Sequence, residues 1–146
     1  MSVPATSWAE RVALLAAALW WGCATTIGFL VVPLLFMHLP TPAMAGAMAA
    51  KLFTAQTWVA VACGLLLLLV LRKNQADPSA NRSMAAIVFV LLGMLVALLS
   101  EFAVAPRIVA RENLRLWHSV GTVLYALQWG CALGALLRGV RGARSA

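Results

Sequence analysis

The sequence predicts an all-α integral membrane protein, a four-transmembrane-helix bundle whose first helix is kinked by a proline. Three observations carry this. Apolar residues make up 64% of the 146 and charged residues only 10%, against about half and a quarter in a soluble domain. Mean hydropathy is +0.95. The apolar residues collect in four segments of roughly 20 residues or more, the length that crosses a hydrocarbon core about 30 Å thick. One membrane domain, residues 1–146, is expected.

The first span covers residues 12–37. It is too long for the apolar region of a signal peptide, and only Arg11 stands directly in front of it. Trp20-Trp21 before Gly22-Cys23 fits a lipoprotein cleavage site poorly. Pro33 lacks an N–H and crowds the carbonyl one turn earlier, so the helix should kink in its second half. Pro40 and Pro42 make a tight turn. The second helix starts near Ala43 and spans residues 52–71. Residues 72–82 are the one long polar loop. The third span is 84–104, ended by Pro106, and the fourth is 116–137. No internal repeat and no soluble domain are expected.

Four spans put both termini on one side. Arg11, Arg72, Lys73, Arg82, Arg138, Arg141 and Arg144 collect there, against Lys51, Arg107, Arg111 and Arg115 opposite. The positive-inside rule then places the termini and the 72–82 loop in the cytoplasm, as expected for a multi-pass protein of a bacterial inner membrane. The net charge of +7 flanks apolar segments, so anionic lipid headgroups account for it and nucleic acid does not. Cys23, Cys63 and Cys131 lie far apart inside apolar segments, with no CxxC spacing, and indicate packing rather than disulfides.

The outward layer is where ionisable residues gather. His38, Lys51, Glu101, Arg107, Arg111, Arg115 and His118 are all expected there, lining a polar pocket. Glu101 falls inside an apolar segment and needs a partner. Arg107, Arg111 and Arg115 are four apart, and His118 continues their stripe. Below it come Thr122, Ala126, Gly130 and Gly134, small residues at the spacing that lets membrane helices approach closely. The stripe should therefore turn His118 into the bundle. Pairing of Glu101 with an arginine as a simple helix lock is the plainer reading of the same cluster. Two histidines on different helices suit haem or a metal. Met37, His38, Met44 and Met48 around one turn suit copper. Neither set completes a coordination sphere, so no cofactor is expected. Ser119 beside His118 has no carboxylate to orient a triad, and no Walker, Rossmann or HExxH pattern occurs. No enzyme activity is expected.

Two blocks resemble a known family. Gly28, Phe29, Pro33 and Phe36 match a G-F-x-x-x-P-x-x-F run. Ala45, Gly46, Lys51, Leu52 and Phe53 match an A-G…K-L-F element. Arg111 or Arg115 with His118 matches the opening of a last helix, although Ser119 stands where a glycine is usual. These residues resemble the transmembrane-protein-205-like family, whose bacterial members carry the domain of unknown function numbered 4149. The resemblance implies a small multi-span membrane protein with no assigned activity. Three functions stay open. The first is binding or moving a small solute, anion or metal at the outward pocket. The second is a structural subunit meeting a second copy or another membrane protein. The third is a haem- or copper-binding protein.

Overall fold

The computed structural model describes residues 7–73 and 80–145. Its four helices long and apolar enough to cross a membrane are Trp8–His38, Pro42–Arg72, Met84–Val109 and Leu114–Val140. We label the corresponding rods α1 (Trp8–His38), α2 (Pro42–Lys73), α3 (Ala80–Leu99 continued by Ser100–Val104 and Ala105–Val109) and α4 (Leu114–Ser145). The expected polar loop at 72–82 is helical at both ends, and residues 74–79 lie outside the described ones.

Each start has a local cause. Ser7 and Glu10 form a reciprocal capping box at α1. Thr41 caps α2 by accepting from the Met44 N–H at 3.3 Å, with Pro42 as first helical residue. Asn113 plays the same part for α4, accepting from the Leu116 N–H at 3.5 Å.

Pro106 acts differently from expectation. It does not end α3, which runs on to Val109. A π turn, Ser100–Val104, comes first, and Ala105 N–H bonds back to the Ser100 carbonyl. Pro33 is preceded in the same way by the π turn Ile27–Val31, with Val32 N–H bonded to the Ile27 carbonyl. The wider turn moves the ladder by one residue, so that the missing proline N–H leaves the rod continuous. The end of α3 is a Schellman closure: Glu112 N–H bonds to Arg107 O at 3.0 Å and Arg111 N–H to Ile108 O at 3.1 Å. Arg111 holds the left-handed position, φ 57°.

The rods pack as a ring, α1 on α2, α2 on α3, α3 on α4 and α4 back on α1. Small residues face inward: Ala16, Ala17, Ala24, Ala60, Ala97, Ala132 and Ala135 are all buried. Trp20, wholly buried, fills the space they leave and reaches across the ring to α3. A Cβ on Gly93 would stand 2.7 Å from that indole. Tyr125 does likewise from α4: its ring occupies the space where a Gly28 Cβ would sit, and it meets Phe53 of α2 edge-on at 5.2 Å.

Candidate functional site: the polar layer beneath the turns

Both short turns, 39–41 and 110–113, lie at one end of the bundle, the turn end. Glu101 sits in the π turn of α3, about 12 Å of helix below Val109 at 1.5 Å per residue. Its carboxylate is partly buried and accepts from the Thr54 hydroxyl at 2.8 Å, joining α3 to α2. Among the described residues that hydroxyl is its side-chain partner, and no arginine or lysine pairs with it. The expected helix lock through arginine is thus replaced by a hydroxyl–carboxylate bond.

The basic residues form an open rim. Arg107 ends α3 with its guanidinium over the Trp117 ring, 4.4 Å from the centroid. Arg111 lies in the turn and Arg115 in the first turn of α4, both exposed, and Lys51 is exposed on α2. The three arginines therefore do not share one helix, because the Schellman turn separates them. His118 is exposed too, contrary to the expected inward orientation, with its Nδ1 2.9 Å from Leu114 O. His38 mirrors it at the end of α1, Nδ1 3.0 Å from Leu34 O and exposed.

The small-residue stripe splits. Thr122 and Ala126 are exposed, and Gly130 has open space where a Cβ would be. Gly134 alone is packed, 2.9 Å from the Phe89 ring on α3 by the same measure. Four residues on an α-helix turn about 400°, so an i+4 series drifts about 40° per step. A series uncovered at His118 reaches the interior four steps later, at Gly134. The inward face of α4 is instead Gln128, Cys131, Ala132 and Ala135.

Among the described residues no three of His, Cys, Asp and Glu come together as a metal site. What the histidines offer is a pair of outward Nε2 atoms, each ring being oriented through Nδ1 by its own helix. Sequence reasoning missed Thr54, one turn beyond Lys51, and the polar interior below. Trp129 Nε1 donates to Thr25 Oγ1 at 2.9 Å, and the Tyr125 hydroxyl donates to Ala24 O at 2.6 Å. Gln56 and Gln128 are 2% and 3% exposed. A lone glutamine inside an apolar run was the available signal for Gln128.

Residues 15–117, from α1 through the first turn of α4, match the model of a family described as a domain of unknown function, DUF4149. The chain belongs to the DUF4149 family. No curated protein and no solved structure matches it. The matched stretch holds both π turns, the Thr54–Glu101 bond and the whole basic rim.

Proposed function

We propose that this DUF4149 protein is a non-catalytic bacterial inner-membrane protein that binds, or helps to move, a small solute at a polar site opening on the turn end. The observation that carries the reading is the Thr54–Glu101 bond inside the span. An ionisable group costs about 2.5–3.5 kcal/mol or more at mid-membrane, so such groups persist where a function uses them. Here the protein supplies one hydroxyl and leaves the other carboxylate oxygen for a donor or cation brought by the solute. A π turn under such a group is a common companion of function. Lys51, Arg111 and Arg115 around the mouth suit anionic headgroups or the approach of an anion. The basic bias of the terminal side supports termini in the cytoplasm, and the motifs at Gly28–Phe36 and Ala45–Phe53 support kinship with the transmembrane-protein-205-like proteins.

The test uses single cysteines in a Cys23→Ala, Cys63→Ala, Cys131→Ala background. Glu101→Cys should react with a small membrane-impermeant thiol reagent added outside, as the rim control Arg111→Cys does. Reaction at 111 with complete protection at 101 refutes the opening.

One observation favours a second reading, a subunit that meets a second copy or another membrane protein. Thr122, Ala126 and Gly130 leave a seam of small residues uncovered by the chain. Oligomeric mass in detergent, compared between wild type and Gly130→Leu, tests it: an unchanged monomer removes this reading.

A further inference from the structure

The two halves of the chain correspond, contrary to the expected absence of an internal repeat. Phe29-Leu30-Val31-Val32-Pro33 in α1 and Phe102-Ala103-Val104-Ala105-Pro106 in α3 share the pattern F-x-V-x-P, 73 residues apart, and each spans the end of a π turn. The caps Thr41 and Asn113 are 72 apart, as are Phe53 and Tyr125, Gln56 and Gln128, and Ala60 and Ala132. The last three pairs fall on the inward sides of α2 and α4. Corresponding residues also meet at the centre: Phe53 touches Tyr125, and Trp20 packs on Gly93, 73 residues further on. The second hairpin thus repeats the first with both running the same way, the relation that a pseudo-twofold axis along the membrane normal produces. Such repeats in membrane proteins place their binding sites near the midplane, at the interface between halves and beside interrupted helices.

That interface is polar here. Gln56 and Gln128 each follow the touching aromatic pair by three residues on helices running the same way, which sets them at one depth. Both are more than nine-tenths buried. Both amide atoms of Gln56, Nε2 of Gln128 and Nε1 of Trp20 and of Trp21 are buried with no hydrogen-bond partner among the described residues. As the amides are placed, nitrogen donors outnumber oxygen acceptors in that set. Buried polar atoms of this kind are ordinarily satisfied by something small that enters.

We infer that Gln56 and Gln128, with the Trp20 and Trp21 indoles, form a second binding site on the pseudo-twofold axis for a small uncharged molecule bearing acceptor lone pairs. The fully buried polar side chains among the described residues are Gln56, Thr57 and Gln128, none of them charged, so the groups of the site themselves favour a neutral species. Water and a compact hydroxylated or amide solute share this chemistry. The site does not use the Glu101 carboxylate and stands without it.

The test uses the unaltered full chain in lipid nanodiscs, with nitrogen-15 NMR of its six tryptophan indoles and its glutamine side-chain amides. Magnetisation from water should reach the Trp20 and Trp21 N–H groups and the Gln56 and Gln128 amides. Glycerol and urea are then titrated as probes. Saturable shifts confined to those four side chains identify an organic solute as occupant, and water transfer alone identifies water. No transfer and no shift at any of the four, while the exposed Trp8 indole shows transfer, overturns the proposal. Gln56→Leu tests the sharing: it should abolish or shift the signals of Gln128 and both indoles. If they are unchanged, the two halves do not share a site and the proposal fails.

Discussion

The Thr54 hydroxyl holds the Glu101 carboxylate across the α2–α3 contact at 2.8 Å, within the apolar length of both helices. Loss of the hydroxyl leaves a partly buried carboxyl without its protein partner. Thr54→Val should therefore lower stability by about 1–3 kcal/mol, read as a lower unfolding temperature in detergent. Glu101→Gln retains an acceptor for the Thr54 hydroxyl and should cost less. An unchanged unfolding temperature for Thr54→Val would show that the bond contributes nothing.

Gly130 and Gly134 separate sharply. A methyl group at 134 would press on the Phe89 ring, whereas at 130 it meets nothing within 4 Å. Gly134→Ala should cost about 1–3 kcal/mol by overpacking, measured by thermal unfolding in detergent. Gly130→Ala should leave the single chain unharmed. The reverse order would show that α4 is rotated from the orientation described.

Arg111 occupies a left-handed backbone position that a glycine would take without a Cβ penalty. Arg111→Gly should raise stability by about 1 kcal/mol, whereas Arg111→Ala should bring no such gain. Urea unfolding in detergent distinguishes them. A gain from both variants would assign the effect to removal of the charge.

The distribution of basic residues near the span ends supports the proposed orientation, with the termini in the cytoplasm. A reporter active only in the periplasm, fused after Ala146, should stay silent. Activity there would reverse the orientation and put the Glu101 layer on the cytoplasmic side.

The four spans were legible because burial in lipid demands long apolar runs, which composition alone reveals. The special role of Pro33 was legible, but its form was not: a proline states which N–H is missing, not how the helix closes around it. Pro106 misled for the same reason. The arginine spacing implied one helix only while the turn at 110–113 went unnoticed, since the cap at Asn113 and the Schellman closure are single-residue events. The face of α4 was misjudged because an i+4 stripe precesses, so its top and bottom do not look the same way. Glu101 was found through its charge. Gln56 and Gln128 carry none, and their equivalence appears only when the two halves are laid in register.

The π turns also make α1 and α3 unequal along their length in their tolerance of lost residues. Each five-residue π segment accommodates one residue more than an α-helical path would need. Removing one residue from Ile27–Val31 or from Ser100–Val104 would convert the bulge to regular α-helix and leave both flanking stretches facing as they do now. The same deletion elsewhere in either rod would swing everything beyond it by about 100°, carrying Trp20 or Gly93 away from the axis that they share.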